Sequence, residues 1–364
     1  MSHRATPHLN GQYPGSPPHT TTPTSIHDNT LTPTMHIAIT GAGGFVGQIL
    51  ASALLHSGHT LLLIDIFKPS VPASASQHAS NARCVQADLY TDASSILPAD
   101  LDAIYIFHGI MSAGSEANFD LGYRVNLHST LLLLDALRAT CPGIKVIYAS
   151  STAIYGQPLP ASPTEATLPT PGSSYGAQKS MVEYAINDYT RKGYINGLSL
   201  RFPTISVRAG KPTQAASSWM SGIIREPLQG LPSAVPCADD FLTWLCSPRT
   251  LVRNLQHALT LERDCLPVHT RQVNLPGITA SVKEMLQALE EVGGKEAVAL
   301  VSREEASKEI KAMLDSWPVR FDVSKALGLG FVKDESFKRA VEDFAEELRE
   351  QKRREKEREG FVAN

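Results

Sequence analysis

In YGAQK, Tyr175 and Lys179 are four residues apart, a spacing that puts both side chains on one face of a helix. A phenol with a pKa of about 10 is a poor base at neutral pH, but an adjacent ammonium stabilises its phenolate and makes proton transfer feasible. The third member of such a set is a hydroxyl that bonds the substrate oxygen. KVIYASSTAIYG offers three, Ser150, Ser151 and Thr152, at the end of a strand-like run. Residues of these types suit removal or return of the proton of a carbon-bound hydroxyl; the electrons must go elsewhere.

The stretch TGAGGFVG at 40–47 supplies a place for an electron acceptor. Gly41, Gly44 and Gly47 lie between the strand-like HIAIT and the helix-like QILASALL, the setting in which glycines at this spacing hold a dinucleotide. Gly41 permits the tight turn, Gly44 lets a pyrophosphate approach the backbone, and Gly47 lets the helix pack on the strand. The helix start, with Phe45 and Val46, offers free N–H groups to the anion. Asp65, at the end of TLLLID, is the acidic residue expected about 20 positions on. Its carboxylate accepts both ribose hydroxyls and repels a 2′-phosphate, so the expected cofactor is NAD rather than NADP. Asp88 and Leu89, after the run containing Cys84 and Val85, are expected beside the adenine. Lys179 can bind the nicotinamide ribose as well, and the positive nicotinamide adds to the stabilisation of the Tyr175 phenolate. His108 is expected to line the phosphate side rather than to act as a base.

These residues need a scaffold that brings strand ends together. Strand-like runs at His36–Thr40, Thr60–Asp65, Ala103–Phe107, Lys145–Ala149 and Gly197–Phe202 are separated by helical stretches such as Gln48–Ser57 and Tyr123–Ala139. Such alternation predicts an α/β fold, a Rossmann-type doubly wound parallel sheet, over 35–204. From 205 to 345 turn-rich segments mix with helices near 281–292 and 336–350, which predicts a smaller C-terminal substrate-binding region over the carboxyl edge of the sheet. Residues 346–359, EELREQKRREKERE, hold six acidic and six basic side chains, so 346–364 reads as a charged, solvated helical tail. Residues 1–34 hold six prolines and eight threonines with one acidic and one arginine residue. That composition predicts a disordered tail rather than a basic transit helix, with the folded unit starting at Met35.

With these motifs the chain resembles the extended short-chain dehydrogenase/reductase family of NAD-dependent sugar epimerases and dehydratases. Alignment on Tyr155-Gly156 places the family's catalytic hydroxyl on Ser151, with Tyr175 as base and Lys179 as its helper. The resemblance adds Pro203 to the cofactor set, and assigns Asn126, in YRVNLHST, to bracing the active-site helix and the cofactor side, through water. It also implies dimers built on a helix pair. A closer resemblance, to the D-erythronate-oxidising members, rests on HGIMSAGSEANFDLGYRVN (108–126), RFPTISVRAGKPTQAASSWMSGIIREPL (201–228), VNLPGITASVKEML (273–286) and SWPVRFD (316–322). It covers about residues 35–345 and implies oxidation at C2 of a four-carbon sugar acid to a 2-oxo acid. Two departures from the epimerases, RFPTISV for an RxxNVYGP segment and HGIM for HLAA, favour a small substrate over a nucleotide sugar.

A small anionic sugar acid needs fixed donors for its carboxylate, and Arg208, Lys211 and Arg225 stand near the expected pocket mouth. Each could equally be a surface or interface ion pair. Ser112, Ser217 and Ser218 could bond substrate hydroxyls or be ordinary loop serines. The formal charge of −3 gives no basic field for nucleic acid, and no apolar run reaches the length that spans a bilayer. Five cysteines without a CxxC spacing suit reduced thiols in the cytoplasm. The twelve histidines are scattered, so no metal is expected. The leading expectation is an NAD-dependent dehydrogenase of a small sugar acid. The alternatives are a nucleotide-sugar epimerase with the same first half and an NAD-sensing regulator, which would not need both Tyr175 and Lys179.

Overall fold

A computed structural model describes residues 33–210, 217–305 and 308–362. The segment expected to be disordered therefore lies outside the described residues, apart from Pro33 and Thr34. The chain forms β1 (His36–Thr40), β2 (Thr60–Asp65), β3 (Ala82–Gln86), β4 (Ala103–Ile106), β5 (Lys145–Ser151) and β6 (Asn196–Phe202). There follow β7 (Thr204–Ile205), β8 (Ser233–Val235), β9 (Leu242–Cys246), β10 (Gln272–Asn274), β11 (Ile278–Ser281) and β12 (Val301–Arg303). The main sheet has the order β10-β6-β5-β4-β1-β2-β3 and every pairing in it is parallel. The strand order reverses between β1 and β4, and a crevice at such a switch point is where a doubly wound sheet binds its ligand.

Alternation along the strands builds a core on each face. Ile37 and Ile39 of β1 face one way, with Leu61, Leu63, Tyr105 and Ile147, against Leu50 and Leu54 of the helix Phe45–His56. Ala38 faces the other way, with Leu62, Ile64, Ile104 and Val146. That second face is covered by Leu133 and Leu137 of Ser129–Thr140 and by Val182 and Ile186 of Ser174–Arg191. Strands covered on both sides are apolar along their whole length, which is why these runs read as continuous hydrophobic stretches.

The expected division at residue 204 is not clean, because β10 returns to the main sheet beside β6 and Thr34–Asn364 forms one compact unit. Arg271, fully buried, makes that return. Its guanidinium donates to the carbonyls of Gly197 (2.7 Å), Arg263 (2.8 Å) and Leu266 (2.7 Å) and to the Asn196 side chain (3.1 Å). The remaining strands form β11-β9-β7 and β12-β8, with a core of their own around Ile223, Ile224, Leu245, Met285, Leu289 and Phe344. The charged tail continues the last helix, Phe337–Val362.

Arg271→Met keeps the apolar stem but leaves these buried acceptors without donors. It should lower stability by about 3 kcal/mol, read as a lower urea midpoint at unchanged slope.

Candidate active site

The glycine turn joins β1 to the helix Phe45–His56 as the spacing predicts. Gly41 has φ +67°, and a Cβ there would lie 2.6 Å from the backbone N of His108. A Cβ on Gly47 would lie 2.5 Å from the carbonyl oxygen of Gly41, so helix and turn touch backbone to backbone. The helix has Gly44 at its N-cap, with no side-chain cap and no acidic residue in the first turn. Phe45 and Val46 thus open a helix whose positive end has no anion of its own, which fits a pyrophosphate. At the tip of β2 the Asp65 carboxylate accepts from the N–H of Gly43 (2.9 Å) and of Ile66 (2.7 Å), fixing it beside the turn. Asp88 caps the helix Leu89–Ile96 through Tyr90 N–H and pairs with Arg124 at 2.8 Å; Leu89 is buried in the core.

His108 is half-buried and bonded at both nitrogens, to Thr40 (2.9 Å) and to Thr130 (3.1 Å) and Ser129 (3.3 Å). Burial, helped by the Lys179 charge, pushes its pKa down to about 3, so it is neutral near pH 7. Asn126 sits in a π turn, Tyr123–His128, where an ordinary helix was expected. Its amide accepts from Ile110 N–H (2.7 Å) and donates to Ile110 O (3.0 Å), Ser115 (3.1 Å) and Gln178 (2.6 Å). Gln178 thus links Asn126 directly to the Tyr175 helix. Both polar atoms of Asn126 are committed to the protein, so its share in the cofactor surface is the placement of the 108–115 segment.

The helix Ser174–Arg191 starts at a Ser173 cap and rests on the end of β5, where a Cβ on Gly176 would come within 2.1 Å of Ala153 O. This seat brings Tyr175 to β5 and separates the three hydroxyls that the sequence left open. Ser150 donates to Glu183 and Thr152 to Phe202 O (3.3 Å), while Ser151 accepts from Ala153 N–H (3.1 Å) and stands close enough to the Tyr175 phenol to lower its pKa. Burial holds the Tyr175 phenol up at about 12, opposed by the nearby Ser151 hydroxyl. Lys179 is buried, donates to Ala149 O at 2.7 Å, and lies 5.5 Å from the centre of the Tyr175 ring. Its own pKa is lowered to about 7 by burial, against the opposing charge of Glu183.

The expected substrate donors separate as well. Arg225 is 2% exposed, is paired with Glu226 at 2.5 Å and donates to Arg208 O at 3.0 Å. It is a structural brace rather than a free clamp, because its carboxylate neighbour already fills its fork. Arg208 keeps a buried Nε without a hydrogen-bond partner among the described residues, and burial with the nearby Arg225 charge lowers its pKa. Ser112 begins the short helix Ser112–Ala117, and Ser217 and Ser218 lead into Trp219–Arg225. Pro203 is buried between β6 and β7. Lys211 lies outside the described residues. Sequence reasoning missed Glu183, Arg201 and Tyr148 behind Lys179. The signal for Glu183 was its position one further turn along the face of Tyr175 and Lys179.

Among the described residues no cluster of His, Cys, Asp and Glu could hold a metal ion, and no helix is long and apolar enough to cross a membrane. Residues 37–240 match the NAD dependent epimerase/dehydratase family. The chain is 40% identical over 319 residues to a D-erythronate dehydrogenase of Haemophilus influenzae, covering 86% of this chain and 99% of that one. It is 37% identical over 326 residues to another from Cupriavidus necator, covering 86% and 98%. A crystal structure described as a nucleoside-diphosphate-sugar epimerase from Agrobacterium tumefaciens superposes with TM-score 0.78 at 36% identity, covering 85% of this chain and 92% of that one.

Asp65→Ser removes the carboxylate expected to face the ribose, and Asp65→Asn, which keeps an acceptor for the Gly43 N–H, removes its charge alone. The preference for NAD over NADP should narrow by tenfold or more, on the order of 1.4 kcal/mol, in titrations of both dinucleotides.

Proposed function

The chain belongs to the NAD-dependent epimerase/dehydratase family, and from that premise we propose that it is a dehydrogenase for a small sugar acid. The reaction we infer is oxidation of a D-erythronate-like acid at its C2 hydroxyl to the 2-oxo acid, with reduction of NAD. The observation that carries this reading is the seat of Tyr175 beside Ser151 at the end of β5, with the Lys179 nitrogen 5.5 Å from the centre of the tyrosine ring. Near-full-length likeness to two D-erythronate dehydrogenases supports the substrate class.

Tyr175 takes the proton of the substrate hydroxyl as the C–H bond at the same carbon breaks. Ser151, beside Tyr175, donates to the substrate oxygen and fixes it for that transfer. NAD, when bound, accepts the hydride and brings a positive ring that favours the phenolate. Lys179, charged, adds to that field and holds the nicotinamide ribose. Gly41, Gly44, Phe45, Val46, Gly47 and Asp65 hold the dinucleotide, with Asp88 and Leu89 at the adenine end. Arg208 donates to the substrate carboxylate. Its buried, unpartnered Nε supports this role, since a guanidinium nitrogen removed from water without an acceptor is costly until an anion supplies one. Ser112, Ser217 and Ser218 lie on the segments that flank the substrate.

A panel of four- to six-carbon aldonates with NAD, followed by NADH absorbance, tests the substrate class; conversion of a UDP-sugar without net NADH would instead make the chain an epimerase. Tyr175→Phe should leave NAD affinity nearly unchanged and lower turnover roughly 10²–10⁴-fold. Arg208→Met should raise KM for the acid by about tenfold or more with a smaller change in kcat, the mark of a lost charge-assisted bond. Undiminished turnover in the phenylalanine variant would remove Tyr175 as the base.

A further inference from the structure

Beyond Tyr175 and Lys179 the same helix face carries Glu183, 1% exposed. Its carboxylate accepts from the Nε (2.9 Å) and Nη2 (2.7 Å) of Arg201 on β6, itself 2% exposed, and from the Ser150 hydroxyl. Arg201 also donates to the Tyr155 hydroxyl at 2.6 Å, which in turn bonds Thr164 O and the Asn274 side chain, each at 2.9 Å. Glu183 is thus held by three hydrogen bonds from two residues. Lys179 and Glu183 bond consecutive residues of β5, Ala149 and Ser150, immediately before Ser151. On the strand side the Lys179 nitrogen lies 4.6 Å from the centre of the Tyr148 ring. The Tyr148 hydroxyl is buried and has no hydrogen-bond partner among the described residues, so its ring is what this site uses.

We propose that Glu183 and Tyr148 are positioning residues that keep Lys179 charged beneath Tyr175, with Arg201 holding the Glu183 carboxylate in place. The proposal rests on Tyr175 acting as the base, which is where the charge of Lys179 is needed. An ammonium taken out of water loses its hydration, and only fixed acceptors, opposite charge or an aromatic face offset that loss. The site supplies one of each in Ala149 O, Glu183 and Tyr148. The other groups around Lys179 do not replace them. His108, from the segment after β4, is neutral, and Tyr175 on the same helix stays protonated to about 12. Burial also holds the Tyr148 phenol well above its ordinary range, so it offers a neutral ring. On its far side the Glu183–Arg201 pair borders a cavity of about 380 Å³, whose other charged or titratable groups are Glu165, Tyr184, Asp188, Arg191 and His269.

The sign follows from the charges. The carboxylate of Glu183 raises the pKa of Lys179 against burial, so removing it lowers the pH up to which the ammonium persists. The test is the titration of Lys179, observed by NMR of lysine-labelled full-length protein without substrate, beside the pH profile of kcat/KM. In Glu183→Gln the Lys179 midpoint should fall by about one unit or more, a tenfold change in the protonation equilibrium, and the alkaline limb should move with it. Glu183→Gln leaves Arg201 buried and unpaired, so Glu183→Gln/Arg201→Met is made in parallel to remove both charges of the pair; a smaller shift in the same downward direction is expected. Tyr148→Leu should lower the midpoint by a smaller step, and Tyr148→Phe, which keeps the ring, should not lower it. An unchanged midpoint in a folded Glu183 variant overturns the proposal. If neither Glu183 variant folds, equal midpoints in the leucine and phenylalanine variants of Tyr148 overturn it. Because this titration needs no substrate, it separates from failure of the base assignment, which Tyr175→Phe turnover reads.

Discussion

An amino group buried against a sheet is the constraint around which this site is arranged. Lys179 has one direct backbone acceptor, Ala149 O, and it meets that acceptor only because the Tyr175 helix lies close on β5. The closeness is set by Gly176, whose missing Cβ leaves room for Ala153 O. A larger residue there would lift the first turn of the helix, and Tyr175 would leave Ser151 with it. Loss of hydration then works on both members of the pair in opposite senses, up to about 12 for the phenol and down to about 7 for the ammonium. Both shifts favour the neutral forms. Catalysis by a phenolate–ammonium pair therefore has to be supported by charge from outside the pair.

The support arrives along separate routes that the sheet topology brings to one edge. β5 contributes Ala149, Ser150 and Ser151 in succession, and β6, its parallel neighbour, places Arg201 opposite Ser150 in register. From the other side of β5, β4 leads into His108, whose backbone packs on the glycine turn after β1. The glycine turn and the residues around Tyr175 thus belong to neighbouring strand ends of one sheet. β10 extends the same sheet and brings Asn274 to the Tyr155 hydroxyl, tying the later part of the chain into the network behind Lys179.

Most of this framework was legible in the sequence because it rests on local rules. Apolar runs of strand length, a glycine turn before a helix, and an acid at the next strand end each carry their own signal, and β1, β2 and β4 to β6 lie where those signals put them. What was not legible depends on contacts between distant segments. The choice among Ser150, Ser151 and Thr152 could not be made from spacing, since all three are small hydroxyls at one strand end. It turns on Glu183 and Phe202 taking two of them. The π turn at Tyr123–His128 was missed for a similar reason. Ser129 and Thr130 bond back to the carbonyls of Val125 and Asn126, and helix periodicity does not report such bonds. β10 is three residues long and is fixed by Arg271 rather than by an apolar pattern.

The two arginines of the substrate segment show how desolvation sorts residues that look alike in a sequence. Arg225 has the deeper position and also has the carboxylate, Glu226, adjacent in the chain. A buried fork filled in this way is already neutralised and gains little from a second anion, so its contribution is to hold Arg208 O and with it the course of the chain beyond β7. Arg208 is less buried but lacks a partner at Nε, and the charge of Arg225 adds to the cost of its own. Among the described residues, Arg208 and Arg225 with the one carboxylate of Glu226 leave a net positive charge. A compact carboxylate satisfies that charge directly. A nucleotide sugar carries its charge on a diphosphate, some distance from the hydroxyl that reacts, and would need cations correspondingly far from Tyr175.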